Sequence, residues 1–219
     1  MIVLGLDPSL TNFGWVVVDA RAEGAARVLD RGRWQTPAKM EFIDRYVNLR
    51  TWLLGKIHEA KPDNMGIEYP VFNDLWSEGM YGLFLYSCEA IKMAKTNVVF
   101  FSPGQIKAHA RQYMVDNGWR PPGPPKWKMT KPDMVEAARR HTGGKGTWNH
   151  NEADAYWVAQ SAARFWSYYE AELEESDLTQ TERDQFLKLH KPKRGKNAGK
   201  MTRKGIIYRE DERYFRWSV

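Results

Sequence analysis

The sequence predicts an α/β fold in which a five-stranded mixed sheet is flanked by helices. Three apolar runs with β-branched residues come first, separated by gaps short enough for an antiparallel meander. Strands and helices alternate after them, which is the order expected when helices cover the faces of a sheet. With 42% hydrophobic and 13% aromatic residues, the 219-residue chain can bury a core, so wholesale disorder is excluded.

Each predicted element is an apolar pattern that ends at a turn-forming or helix-breaking residue. The strands are apolar runs at residues 2–6, 14–18, 28–35, 65–68 and 97–101. The helices have apolar residues at helical spacing, at residues 42–60 and 83–94, from Thr130 onward, and at 151–175. Four prolines make residues 118–125 a loop. We expect residues 188–204 to be disordered without a partner and residues 206–217 to form a terminal strand or hairpin.

Positive charge is concentrated near the end of the chain. Residues 188–219 hold 11 Lys and Arg against 3 Asp and Glu, whereas residues 1–187 hold 22 against 24. Such a basic segment is typical of a protein with a polyanion partner, and we expect nucleic acid. Lys193 and Arg194 in this segment are expected to hold DNA through its phosphates, with little sequence preference.

The composition also excludes several classes of protein. No apolar run approaches the ~20 residues that a membrane span needs. The single cysteine, Cys88, excludes a disulfide framework and a cysteine zinc site. Residues 1–7 lack the basic start of a signal peptide, so we expect a cytoplasmic protein.

Three acidic residues stand where a metal-dependent site would form. Asp7 ends the first predicted strand and Glu68 the fourth, and a carboxylate in that position is costly unless it is paired or bound to a metal. Asp154 lies one turn into the last helix, on the same face as Asn151 and His150. Three acids from separated elements could hold two divalent ions about 4 Å apart for phosphodiester hydrolysis. Taken singly, Asp7 also fits a turn and Asp154 the first turn of a helix, whereas Glu68 follows an apolar strand and is harder to explain without a ligand.

These residues carry a resemblance to a known family. Residues 5–15 (GLDPSLTNFGW) resemble the opening motif of the RuvC-like Holliday junction resolvases, which belong to the ribonuclease H-like superfamily. Ile67-Glu68 resembles the second acidic motif of this family, and residues 152–155 (EADA) resemble the third. The order and spacing of the motifs agree over residues 1–168, and the length and extensions look like a phage-type variant.

The resemblance implies a ribonuclease H-like fold and a homodimer that uses two Mg²⁺ or Mn²⁺ ions per active site to nick a four-way DNA junction symmetrically. Asp7, Glu68 and Asp154 would carry the metals. The family's fourth ligand, usually an acid and sometimes a histidine, falls on Asn151, which offers a carbonyl oxygen without negative charge. Either the second metal would bind more weakly, or His150 or Glu152 would replace the ligand, and Asn151 with His150 close by is the favoured arrangement. The nuclease domain would span residues 1–175, followed by a basic extension at 176–219, in the cytoplasm of a bacterium or a phage-infected cell.

Further residues resemble DNA-contacting positions of the family or suit that role by type. The family often inserts a phenylalanine at the junction centre, and here Phe72 or Tyr69 would take this role, with a buried core aromatic as the alternative. Lys107 and Lys131 resemble basic residues near the scissile phosphate, with an ordinary solvated lysine as the alternative. The loop at 119–128 interleaves tryptophan, proline and basic residues, and the residues expected to follow the DNA backbone there are Arg120, Lys126 and Lys128.

Two other functions stay open at this point. One is a ribonuclease H-like nuclease that acts on RNA or on an RNA–DNA hybrid. The other is a junction-binding protein with weakened catalysis, because Asn151 stands in place of an acid. An actin-like ATPase, which also begins with a strand, an aspartate and small residues, is disfavoured because no second phosphate motif occurs.

Overall fold

A computed structural model of the chain describes residues 1–20, 26–69, 78–119, 128–144, 146–170 and 172–187, and the backbone of strands at 189–190, 202–208 and 215–218. Its first three strands form the predicted antiparallel meander: β1 (Ile2–Asp7), β2 (Asn12–Asp19) and β3 (Arg27–Gln35). β4 (Asn64–Glu68) runs parallel to β1, and β5 (Asn97–Phe101) runs parallel to β4. The predicted mixed sheet of five strands is confirmed, in the order β3-β2-β1-β4-β5.

Six α-helices lie in the described part of the chain: α1 (Phe42–Ala60), α2 (Glu78–Met93), α3 (Pro103–Asp116), α4 (Lys131–His141), α5 (His150–Tyr169) and α6 (Gln180–Phe186). α2 begins five residues before its predicted start. α5 ends at Tyr169, not at residue 175 as predicted, because the four glutamates between 170 and 175 oppose the negative end of the helix dipole. None of the helices in these ranges is long and apolar enough to cross a membrane.

The sheet has helices on both faces, and each face has its own core. α1 and α2 pack side by side on one face, over apolar side chains of alternate strand residues such as Leu4, Leu6 and Ile67. α5 covers the other face and packs with α3 and α4, with Trp157 and Trp166 fully buried. The observed architecture therefore has three layers, with the sheet in the middle.

α5 lies very close to the sheet because glycines face it. A Cβ atom on Gly5 of β1 would overlap the backbone carbonyl oxygen of Ala155. A Cβ atom on Gly14 of β2 would overlap the backbone carbonyl oxygen of Asn151. Since β4 also presents a glycine to α5, Gly66, the helix backbone rests directly on three neighbouring strands.

The C-terminal residues add three strands to the sheet: β6 (Leu189–His190), β7 (Thr202–Tyr208) and β8 (Phe215–Ser218). β7 pairs antiparallel with β5, β6 and β8, which extends the sheet order to β3-β2-β1-β4-β5-β7-β6. A terminal strand or hairpin was predicted over residues 206–217, and the structure has two antiparallel strands there, β7 and β8. The disorder expected over residues 188–204 is wrong at 189–190 and 202–204, because pairing satisfies their backbone groups, and residues 191–201 lie outside the described residues.

Candidate active site

Two of the predicted acidic residues end adjacent parallel strands, and the third lies on the helix above them. Asp7 is the last residue of β1 and Glu68 the last residue of β4, and the register pairs the residues before them, Leu6 and Ile67. Asp154 is the fifth residue of α5, which packs on β1 and β2. The structure thus brings together carboxylates from three distant parts of the sequence.

These three carboxylates have raised pKa values. Burial is the largest cause at each: it raises the pKa of Asp7 well above its usual value, that of Glu68 to about 8, and that of Asp154 to about 6. The negative charges of Glu68 and Asp154 raise the pKa of Asp7 further, and the charge of Asp154 does the same for Glu68. A bound cation would reverse this effect and favour the ionised carboxylates.

The donor atoms of the three acids fit a hard divalent cation. Carboxylate oxygens are the ligands that Mg²⁺ and Mn²⁺ prefer, and Oδ1 of Asp154 is buried with no hydrogen-bond partner among the residues that the structure describes. Within the described residues, no three His, Cys, Asp or Glu side chains are already grouped as metal ligands. The carboxylates therefore interact through their charges without forming a finished coordination shell, as expected for acids that repel one another.

Asn151 holds the first turn of α5 against β2. Its Nδ2 donates a hydrogen bond to the backbone oxygen of Asn12 over 2.6 Å. Its backbone N–H donates to Oδ1 of Asn149, the N-cap of the helix. Because the amide nitrogen of Asn151 is engaged, Oδ1 is the side-chain atom that it can offer to a metal.

His150 and Glu152 have different surroundings. Burial lowers the pKa of His150, and the positive charges of Lys131 and Arg33 lower it further. The ring is therefore mainly neutral at pH 7, which is the form that binds metals. Glu152 faces β3 instead, where its carboxylate oxygens lie 3.7 Å from Nη1 of Arg31 and 3.8 Å from Nε of Arg33.

Two predicted basic residues act electrostatically on the carboxylates. Lys107, near the start of α3, lowers the pKa of all three acids. Lys131, the first residue of α4, lowers the pKa of Asp7 and Asp154. Both lysines are exposed, as is Lys128. Their ammonium groups are therefore available to a phosphate next to the carboxylates.

Tyr69 follows Glu68 and packs against the protein. Its half-buried ring makes edge-on contacts with Phe84 and Phe100, with ring centroids 5.4 and 6.3 Å apart. This packing favours a core role for Tyr69 over insertion into DNA. Five further predicted DNA contacts lie outside the described residues: Phe72, Arg120, Lys126, Lys193 and Arg194.

Two arginines of β3 near the site were not predicted from the sequence. Arg31 and Arg33 are two residues apart in a strand, so they share the face that α5 covers, where both approach Glu152. The alternation of Arg31 and Arg33 with Gly32 could have indicated two arginines on one face of a strand. This pattern was weak, because β3 has few apolar residues to define its buried face.

No protein-family model matches the chain. Among curated proteins, the crossover junction endodeoxyribonuclease RuvC of Halothermothrix orenii is 34% identical over 73 residues, which cover 33% of this chain and 44% of that protein. RuvC of Frankia alni is 31% identical over 111 residues, which cover 49% of this chain and 56% of that protein. The chain thus spans about half the length of the curated relatives it matches.

The solved structure of Thermus thermophilus RuvC has the same fold. It superposes with a TM-score of 0.60 and 20% identity, covering 78% of this chain and 97% of that chain. The same protein in complex with Holliday junction substrate gives a TM-score of 0.59, also at 20% identity, and covers 78% of this chain and 96% of that chain. The predicted fold class is confirmed. In sequence and in fold, the chain is therefore similar to the RuvC crossover junction endodeoxyribonucleases.

Proposed function

We propose that the chain is a metal-dependent endonuclease that resolves Holliday junctions, and other branched DNA, by paired symmetric nicks. The observation that carries the proposal is the mutual electrostatic effect of Asp7, Glu68 and Asp154 at the strand ends of a RuvC-like sheet. The relatives are crossover junction endodeoxyribonucleases, and the similar Thermus protein was solved with a Holliday junction substrate. The substrate DNA would be met in the cytoplasm of a bacterium or a phage-infected cell.

Asp7, Glu68 and Asp154 would hold two Mg²⁺ or Mn²⁺ ions. Such ions, when bound, activate water and stabilise the leaving oxygen of a phosphodiester. Asp154 offers a buried Oδ1 that accepts no hydrogen bond from any described part of the chain. The fourth ligand would be Oδ1 of Asn151, whose nitrogen is bonded to β2, or a ring nitrogen of His150, which is mainly neutral at pH 7.

Lys107 and Lys131 would bind the phosphates next to the cleaved bond. Both are exposed and both already lower the pKa of Asp7 and Asp154, so their positive charge reaches the place where a scissile phosphate would lie. Other predicted residues would bind the junction or its arms away from the cleaved bond: Phe72, Arg120, Lys126, Lys128, Lys193 and Arg194.

Two symmetric nicks require two active sites, so we propose that the chain acts as a homodimer. The packed helices α1 and α2 expose large apolar side chains that a second copy would bury, including Ile43 at 71% exposure and Leu85 at 45%. Sedimentation velocity tests this. We expect a dimer for the wild-type chain and a monomer for Ile43→Glu, whereas a monomeric wild type bound to a junction would contradict the homodimer.

A cleavage assay tests the proposed activity. The full chain is incubated with Mg²⁺ or Mn²⁺ and with a synthetic four-way junction, a linear duplex of the same sequence, or an RNA–DNA hybrid. We expect paired nicks at symmetric positions of the junction and little cutting of the duplex. Preferential cutting of the hybrid would indicate a ribonuclease H-like activity instead, and binding without cutting would indicate a junction-binding protein.

The acidic residues are tested by substitutions that remove charge and keep shape. Asp7→Asn, Glu68→Gln and Asp154→Asn should each slow cleavage by about 100-fold or more and leave junction affinity within about threefold. Glu172→Gln is the control, because Glu172 is an exposed acid beyond the end of α5, away from both the acidic site and the α1 and α2 face. Cleavage at the wild-type rate by Asp154→Asn would show that the site is assigned to the wrong residues.

A further inference from the structure

We propose that a cavity between β3 and the loop before α5 binds a phosphodiester of the DNA substrate, away from the cleaved bond. The cavity has a volume of about 550 Å³. Among the described residues, those that line it include Arg27, Arg31, His141 and Trp148 and none that is acidic. The inference rests on the proposed function in one respect, namely that the occupant is the DNA that the chain would cleave.

Two buried hydrogen-bond donors in the cavity wall lack an acceptor. Within the described ranges, Nε1 of Trp148 has no hydrogen-bond partner, and Nη1 of Arg31 has none either, since its ion-pair partner Oε2 of Glu152 is 3.7 Å away. A buried donor without a partner is unfavourable, so an acceptor from outside the chain would be stabilised here. A phosphodiester has two oxygens that share one negative charge and can accept from both donors.

Contacts on either side hold the guanidinium of Arg31 in place. It lies over the ring of Trp148, with Cζ 3.8 Å from the ring centroid. Its Nη2 donates a hydrogen bond to the backbone oxygen of Thr147 over 3.0 Å. Because the group is already oriented, little side-chain freedom is lost when a ligand binds.

The charge around the cavity is positive. Arg31 and Arg33 share a single carboxylate, Glu152, at distances beyond a hydrogen bond, so the two guanidiniums leave one positive charge uncompensated within this group. Arg27 lines the same cavity. Burial lowers the pKa of His141 to about 4, so this residue adds no charge at neutral pH. The cavity is therefore suited to an anion.

The position of the cavity identifies the anion as part of DNA. Arg33 lies at the start of α5, where its Nε is 3.8 Å from an oxygen of Glu152, the third residue of that helix. Arg31 is two residues along β3 from Arg33, or about 7 Å. Basic residues thus run from the proposed scissile phosphate to the cavity, and a DNA strand that follows them would bring a second phosphate to Arg31.

Binding can be tested without cleavage by NMR. The full ¹⁵N-labelled chain is titrated in EDTA with thymidylyl-thymidine, which has one phosphodiester, and the indole N–H signal of Trp148 is identified as the one missing from Trp148→Phe. We expect this signal to move in a saturable manner. The same dinucleoside with an uncharged methylphosphonate linkage should leave it in place. Arg31→Gln should weaken binding about tenfold or more, whereas Arg50→Gln, an arginine of α1 paired with Glu89, should bind like the wild type.

Two results would overturn the site: a Trp148 signal that does not move with the phosphodiester, or one that moves equally with the methylphosphonate. If Arg31→Gln does not fold, the comparison of the two dinucleosides on the wild-type chain still shows whether the cavity binds a phosphodiester. The readout needs neither metal nor cleavage. If the chain cuts junctions but the Trp148 signal does not respond, only the proposed phosphate site is refuted. If the signal responds but junctions are not cut, only the proposed nuclease activity is refuted.

Discussion

The side-chain amide of Asn151 donates a hydrogen bond to the backbone oxygen of Asn12 over 2.6 Å, and this bond joins the first turn of α5 to β2. By its resemblance to the RuvC-like family, this position would carry a metal ligand that is usually an acid and sometimes a histidine. A carboxylate cannot donate a hydrogen bond, so an ionised acid at position 151 could not make this contact. The asparagine therefore has a structural role whether or not its oxygen also meets a metal.

Asn151→Asp should lower the free energy of unfolding by about 1–3 kcal/mol, because a buried carboxylate would face the Asn12 carbonyl oxygen. Thermal unfolding in EDTA measures this, at about 2–4 °C per kcal/mol for a chain of this size. Asn117→Asp is the matched control, since Nδ2 of Asn117 also donates to a backbone oxygen, that of Tyr113, but at an exposed site. A midpoint for Asn151→Asp at or above that of the control would show that the bond to β2 is dispensable.

Gly5→Ala should destabilise the fold by about 1–3 kcal/mol or more, because its Cβ would overlap the backbone of α5, which has little room to move. Gly55→Ala is the control. Its Cβ would have no atom within 4 Å, and in the middle of α1 alanine should add about 1 kcal/mol of stability. Urea unfolding of both variants measures the difference. Equal effects would mean that α5 is not held by close contact with β1.

Much of the fold could be predicted because its signals are local. The strands β1, β4 and β5 are continuous apolar runs, and α1 has one buried face of Leu49, Leu53 and Ile57 at helical spacing. α3 is absent from the predicted elements although it begins with a capping box of Ser102 and Gln105. Its apolar face is interrupted by polar residues, so periodicity alone does not detect it.

The candidate site was predictable in part for the same reason. Asp7 and Glu68 end strands and Asp154 lies one turn into a helix. The patterns of these elements are clear, and only the convergence of the three residues needed the structure. The tether of Asn151 to Asn12 and the pairing of β7 with β5 join residues far apart in the sequence. No local pattern encodes such contacts, which depend on how elements pack.

Acid should destabilise the chain through His141. Its ring stacks on Trp157 and forms a hydrogen bond with the hydroxyl of Tyr156. Burial lowers the pKa of His141 from 6.5 to about 4. As the pH falls, His141 therefore takes up its proton at a higher pH in the unfolded chain than in the folded one. The contribution of the neutral His141 ring to the free energy of unfolding is complete above pH 6.5 and is lost as the pH falls towards 4. The full difference corresponds to about 3 kcal/mol, of which about 2 kcal/mol is lost by pH 5.

Urea unfolding at pH 7 and pH 5 measures this effect. His141→Gln should reduce the loss of stability between the two pH values relative to the wild type, even if the variant is less stable at pH 7. His58→Gln, which removes an exposed histidine of α1, should keep the wild-type dependence. The prediction fails if the two variants respond to acid equally.

Glu182 joins α6 to α5 by an ion pair, and removal of its charge should destabilise the fold. It is 1% exposed, and its oxygens accept hydrogen bonds from Nε and Nη2 of Arg164 over 2.7 and 3.2 Å. Glu182→Gln should lower the free energy of unfolding by about 3 kcal/mol or more, because Arg164 would lose its counter-ion. Glu136→Gln, on the surface of α4, breaks comparable bonds to Arg139 and should cost less than about 1 kcal/mol.

Chemical denaturation of both variants gives the comparison. A similar small loss for each would show that burial adds nothing to the Glu182 pair. Gln185 of α6 also donates a hydrogen bond to the backbone oxygen of Gln105 in α3, so displacement of α6 in Glu182→Gln would remove this contact as well.

The pairing of β7 with β5 has a consequence for synthesis of the chain. About a hundred residues separate the two strands, and a ribosome needs roughly 5–20 s to add them. For that time the apolar edge at residues 97–101 has no neighbour on its outer side, and such an edge can pair with another nascent chain. The yield of active protein should therefore depend on translation rate and chaperone supply more than the stability of the finished fold suggests.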